Sequence, residues 1–337
     1  MKRIFAWILS LAIVFGMVGC SGEEAPATAE PSGATTVATE PATEVATEPE
    51  ATVSAAGREA LDGKKILFVG NSYTHVGRVV FNVGISKQSQ ESRSNDRGYF
   101  YQLCKAMGME VSVTSWTFGG HDLTDSLGHA CTKEDCKGAD HLVWLTDRYF
   151  DYVVLQPYYE KTYGGDINAH FQPLLEMFRE ANPNVKFIIL IPHMAYDRGY
   201  AWIPDLEKLD QPDVTVGNWG KMLYDIVEGN TQVPGATQPY GRPTFVVSVD
   251  EKDGHHQNLL VGYLTAAMVY SAITGDSAVG LPYDFCDDAT IHEDFNMEAF
   301  RDKQYVYEPY TNFVEVYRSP ADMKGLQTLI DGYINAA

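Results

Sequence analysis

The chain of 337 residues can hold one large domain or two small ones, and its 45% hydrophobic content suffices for a sizeable core. Its 25 Lys and Arg against 45 Asp and Glu give a net charge of −20, which excludes nucleic acid as a partner because phosphate recognition needs a basic surface. Such acidity bears on solubility and names no substrate.

Lys2 and Arg3 precede an apolar stretch over 5–18, broken by Ser10 and Gly16. That is short of the ~20 residues a membrane-spanning helix needs. It predicts an export signal over 1–19. Met17-Val18-Gly19-Cys20 resembles the lipobox of bacterial lipoproteins, with Met17 where Leu, Val or Ile is usual. The resemblance implies lipidation of Cys20 and a protein held at the cell membrane on its extracytoplasmic side. The alternative is a plain secretory signal with an incidental cysteine. Residues 20–57 are almost exclusively Ala, Thr, Pro, Glu and Val, with no Lys or Arg before Arg58. Such a segment buries too little apolar surface to offset its ordering entropy, so it predicts a disordered tether.

A folded domain is expected over 58–337. Short apolar runs at 64–69, 110–118, 152–156, 186–191 and 244–249 predict five strands. Helical periods fall at 98–107, 167–181, 216–227, 259–274 and 321–334. Strands alternating with helices predict an α/β fold: three α/β/α layers around a five-stranded, mainly parallel sheet. The polar stretch 84–96 reads as an insertion. Of the cysteines after Cys20, Cys131 and Cys136 flank a loop-like stretch where a local disulfide suits an exported protein; two free thiols are the alternative.

In an open parallel sheet, ligands sit beyond the carboxyl ends of the strands. Three polar stretches follow such ends. Gly70-Asn71-Ser72-Tyr73-Thr74 follows the first strand, where a serine meets the N–H groups of a helix start; a purely local helix cap is the alternative. Phe118-Gly119-Gly120-His121-Asp122 follows the second, and its paired glycines let backbone approach a ligand or simply end a strand. Asp253-Gly254-His255-His256 follows the last, supplying a base and a group to orient it, or a solvated turn.

The order of these blocks resembles that of the SGNH (GDSL-like) hydrolases, and the outline covers roughly 64–275. Gly70-Asn71-Ser72 stands for the family's Gly-Asp-Ser nucleophile block, Gly120 for the glycine of its second block, and Asp253 with His256 for its Asp-x-x-His block. Gln156, at the end of the third strand, stands where the family has Asn. A glutamine amide carries the same donor on one more methylene. The resemblance implies a flavodoxin-like fold and a serine esterase that needs no metal or other cofactor. Ser72, His256 and Asp253 form its triad, and Ser72, Gly120 and Gln156 its oxyanion hole. His255 is the competing base. A monomer acting on a small-molecule or glycan ester, such as an acetylated carbohydrate, is expected. A surface protein that binds solute or glycan without chemistry remains the competing reading. Of the other histidines, His75, His129, His141, His170, His193 and His292 read as surface or satisfied core residues, whereas His121 adjoins Gly120 and can line a pocket. Tyr158, Tyr159 and the aromatics over 196–202 are either a sugar-stacking wall or core packing.

Overall fold

The computed structural model describes residues 51–80, 98–127, 149–237, 239–246, 256–287 and 319–336. These belong to one compact unit, Glu48–Ala337. Cys20, Cys131, Cys136, Asp253, His255 and the expected insertion at 84–96 lie outside the described residues.

In chain order the elements are α1 (Ala55–Leu61), β1 (Lys65–Gly70), α2 (Ser72–His75), α3 (Tyr99–Ala106), β2 (Ser112–Thr117), α4 (Leu123–Leu127), β3 (Tyr152–Leu155), α5 (Ile167–Ala181), β4 (Lys186–Leu190), α6 (His193–Asp197), β5 (Val214–Gly217), α7 (Trp219–Val227), α8 (Arg242–Phe245), α9 (Leu259–Thr274), α10 (Pro320–Ile330) and β6 (Ile334–Ala336). The sheet runs β2-β1-β3-β4-β5-β6. The first five of these pair in parallel, and β6 adds an antiparallel edge against β5.

The layers follow from strand parity, because successive side chains point to opposite faces. Phe68, Val154 and Ile188 are in register and share one face. Phe68 meets Phe100 of α3 at 5.3 Å between ring centroids, and Met268 of α9 closes over Leu190 and Gly217 on that same face. Phe187 points the other way and meets Phe178 of α5 at 6.3 Å. Trp116 of β2 reaches the same opposite face, where its Nε1 donates to the Ser126 carbonyl of α4 at 3.0 Å. Covered on both sides, the central strands β1, β3 and β4 are apolar along nearly their whole length rather than alternating. α9 is apolar all round and buried along almost its whole length, as a helix enclosed by neighbours must be.

Two expectations about the sheet are corrected. It has six strands, and the segment at 244–249 does not supply the fifth. Arg242–Phe245 is helical, and Val246 makes only an isolated bridge to Gln257. The fifth strand is Val214–Gly217, whose apolar residues run into those of α7 and share its helical period. The last helix stops at Ile330, and β6 follows it. The folded body also begins before Arg58. Ser54 caps α1 by accepting from the Gly57 N–H at 2.9 Å, and the Ala51 N–H donates to the Gly280 carbonyl at 3.2 Å.

Candidate active site

Between β1 and β3 the strand order reverses direction: the chain leaves β1 for β2 on one side and returns to β3 on the other. The crevice beyond the carboxyl ends at such a point is where doubly wound sheets bind ligands. Gly70 ends β1 there, because a Cβ would run into Thr74 Oγ1 and come within 3.0 Å of Gln156 Cβ. Asn71 follows and is buried. Its Oδ1 caps α2 by accepting from the Tyr73 N–H at 3.0 Å. Its Nδ2 donates to the carbonyls of His121 at 3.2 Å and Gln156 at 3.4 Å. One side chain thus ties the ends of β1, β2 and β3 together. Ser72 is the first residue of α2 and is partly exposed, while residues 71 and 73–75 around it are buried.

The other two strand ends meet this turn. The Phe118 N–H donates to the Gly70 carbonyl at 3.0 Å, and the His121 N–H closes a turn onto the Phe118 carbonyl at 3.2 Å. Gly120 occupies that turn with φ +71°, a left-handed conformation that favours glycine, and it is exposed. The Gln156 N–H donates to the Val69 carbonyl at 2.8 Å. The Gln156 side chain is fully buried, and its Oε1 accepts from Thr74 Oγ1 at 2.9 Å. Among the described residues its Nε2 has no hydrogen-bond partner. A buried donor without a partner costs stability, so one on an amide held against α2, the helix that opens with Ser72, calls for a reason.

His256 comes from the opposite end of the sequence, just before α9. Asn258 caps α9 by accepting from the Val261 N–H at 3.1 Å, and its Nδ2 donates to the Thr244 carbonyl at 2.7 Å, which fixes the approach of the chain. The turn after α2 lies directly on the first turn of α9. A Cβ on Gly262 would run into the Gly77 carbonyl, and one on Gly77 would come within 2.6 Å of Gln257 Cγ. This contact brings the two distant blocks together. The His256 ring lies 5.5 Å from the ring of Tyr73, the residue after Ser72. His75, on the same short helix, has its Nδ1 3.2 Å from Thr117 Oγ1. Burial, and then the neighbouring His256, hold its pKa down at about 3, so His75 is a neutral imidazole.

Ser72, Gly120 and Gln156 therefore stand at one end of the sheet with His256 beside them, while Asp253 and His255 lie outside the described residues. Residue types alone did not flag Asn71 as the tie between the three loops. His75 and His193, expected to be unremarkable, are both buried at this site. His193 opens α6 beyond the end of β4, and its ring is 6.1 Å from Tyr73 and 5.6 Å from Trp219. The signal for His193 was its place, a polar residue two positions past a strand end, rather than its type. Tyr158, Tyr200 and Trp202 form a chain of ring contacts leading outward to Tyr159, which is 55% exposed.

No protein-family model matches this chain, and no curated protein matches it in sequence. Several solved structures are similar in fold. A family two carbohydrate esterase from Clostridium thermocellum, solved with cellohexaose, is 15% identical; the match covers 64% of this chain and 65% of that one, with a TM-score of 0.36. A carbohydrate esterase family 3 protein from Talaromyces cellulolyticus is 12% identical over 61% of this chain and 94% of its own, with a TM-score of 0.37. A protein described as a GDSL-like lipase from Parabacteroides merdae is 16% identical over 67% of this chain and 99% of its own, with a TM-score of 0.39.

Proposed function

We propose that the protein is an extracytoplasmic ester hydrolase of SGNH type, with Ser72 as nucleophile and His256 as general base. The observation that carries the reading is the meeting of the Ser72 turn, the buried Gln156 amide and the His256 ring at the switch point of the sheet. In the reaction, Ser72 Oγ attacks the ester carbonyl carbon as His256 takes the hydroxyl proton. The carbonyl oxygen becomes an oxyanion held by the Ser72 N–H, the Gly120 N–H and Gln156 Nε2. Collapse breaks the ester C–O bond, and the leaving alcohol receives the proton from His256. Water then attacks the acyl-enzyme by the same route in reverse, releasing the acid. Asp253 orients His256 and stabilises its charged form. His75, being neutral, adds no positive charge to oppose protonation of that base.

The substrate is a glycan ester, an acetylated carbohydrate among them. Tyr159 supports this: it is half-exposed, packs edge-on to Tyr200 at 5.4 Å, and sits three residues beyond Gln156. An aromatic face of that kind stacks on a sugar ring. The enzyme acts as a monomer at the cell surface, held by a lipid on Cys20. Ser72→Ala is expected to abolish hydrolysis of an aryl acetate and of an acetylated oligosaccharide, and to remove labelling by a fluorophosphonate. A folded Ser72→Ala protein that still turns over the ester would refute the assignment.

A further inference from the structure

We infer that Glu160 is a positioning residue for the reaction just proposed, on which this inference rests: its carboxylate sets the spacing between the Gly120 turn and the Gln156 strand end. Glu160 lies in the loop between β3 and α5, four residues past Gln156, and is 2% exposed. One of its oxygens, Oε1, accepts from two backbone groups, the Leu123 N–H at 3.1 Å and the Tyr158 N–H at 3.0 Å. Leu123 opens α4, three residues after Gly120, and Tyr158 is two residues after Gln156. A single atom therefore bridges the two limbs assigned to the oxyanion. Oε2 pairs with His170 Nε2 at 2.8 Å. His170 belongs to α5, so the bridge is anchored on a regular element.

Three further contacts run along the same seam. Lys161 N–H donates to Asp122 Oδ2 at 3.3 Å, Lys161 Nζ to Asp125 Oδ2 at 3.1 Å, and the hydroxyls of Thr124 and Thr162 meet at 3.1 Å. These are more exposed, and none of them joins both limbs through one atom. Glu160 also holds its backbone at φ +50°, a conformation in which glycine would be at ease. Both the buried carboxylate and the left-handed backbone are unfavourable in themselves. They recur together where a site needs a fixed geometry, and here the residue joins the two loops whose separation decides how well an oxyanion is held. An oxyanion forms only in the transition state, so loosening the bridge lowers kcat and leaves KM nearly unchanged.

The experiment measures kcat and KM for an aryl acetate per active site, with sites counted by fluorophosphonate titration. Glu160→Gly removes the carboxylate while suiting the backbone. It is expected to lower kcat per titrated site by about tenfold or more, with KM within about twofold. Glu160→Gln keeps an oxygen for both N–H groups and is expected to retain at least about half of the kcat. A Glu160→Gly protein that melts earlier yet keeps its kcat per titrated site would reduce Glu160 to a structural role and overturn the inference. If that variant fails to fold, Glu160→Asp decides the matter. It keeps the charge but is too short to span both limbs, so an unchanged kcat overturns the inference and a fall of about fivefold or more supports it. If wild-type protein takes the label on Ser72 and the Glu160→Gly and Glu160→Asp variants keep its kcat per titrated site, this inference alone is sunk. Wild-type protein that neither takes the label nor hydrolyses the ester sinks the hydrolase reading and this inference with it.

Discussion

Gln156 carries a buried amide nitrogen with no partner among the described residues, and its amide oxygen is committed to Thr74 of α2, the helix that opens with Ser72. If that nitrogen serves the oxyanion, Gln156→Leu removes a donor used only in the transition state. The expected result is a fall in kcat of about 100- to 1,000-fold with KM little changed, read by steady-state kinetics on an aryl acetate. His75 gives a separate prediction about stability. Its folded pKa of about 3 lies below the ordinary value of 6.5, so the unfolded chain binds the extra proton between them. The stability due to neutral His75 is therefore fully present above about pH 6.5 and is lost as pH falls toward about 3. Urea midpoints measured from pH 7 to pH 4 are expected to fall more steeply for wild type than for His75→Gln. Parallel curves would show that His75 contributes nothing to the pH dependence. At this scale the sequence exposes type and order but not company. Ser72 and Gly120 stood out because they follow strand-like runs, and Gln156 because it ends one where the resembled family has Asn. Asn71, His75 and Glu160 act through partners that are distant in sequence, and no local pattern announces them.

The contact between the turn after α2 and the start of α9 is the element-scale device that brings a residue near position 70 to one near 256. Gly262→Ala places a methyl group against the Gly77 carbonyl, with backbone rather than a flexible side chain in the way. It is expected to cost about 3 kcal/mol in stability. It should also lower kcat by about 100-fold in whatever fraction folds, because His256 moves with α9. Gly332→Ala meets nothing within 4 Å and serves as the control, with melting temperature and activity near wild type. The helices were legible where an apolar period or a long apolar run had marked ends. Ile167–Ala181 stops before Asn182-Pro183, and Leu259–Thr274 ends at Gly275 in a left-handed cap. β1, β3 and β4 were legible as apolar runs because both faces of those strands are covered. β5 was not, because it has only four residues and its Val216 keeps helical spacing with Trp219 and Leu223 of α7. β6 was not, because Ile330 and Ile334 keep helical spacing although the chain has already turned to pair with β5.

At the scale of the whole molecule, the net charge of −20 and the lipobox-like Cys20 bear on where the proposed hydrolase works rather than on how it reacts. The chain between Cys20 and Arg58 carries Glu but no Lys or Arg. It gives no electrostatic attraction to an anionic membrane surface, so the proposed attachment rests on the lipid on Cys20. Removing the acceptor thiol should then release the protein without touching the site. Cys20→Ser is expected to move the protein from the detergent phase to the aqueous phase on phase partitioning, with kcat/KM for a soluble aryl ester unchanged. A wild-type protein that partitions into the aqueous phase would instead mark a plain secretory signal. Activity toward an insoluble acetylated polysaccharide separates two uses of the anchor. If the tether serves to hold the site against glycan at the cell surface, whole cells carrying Cys20→Ser should release less acetate from that polymer per enzyme molecule than wild-type cells. The purified proteins should match on acetylated oligosaccharides in solution. Equal release by both strains would leave the anchor with retention as its only role.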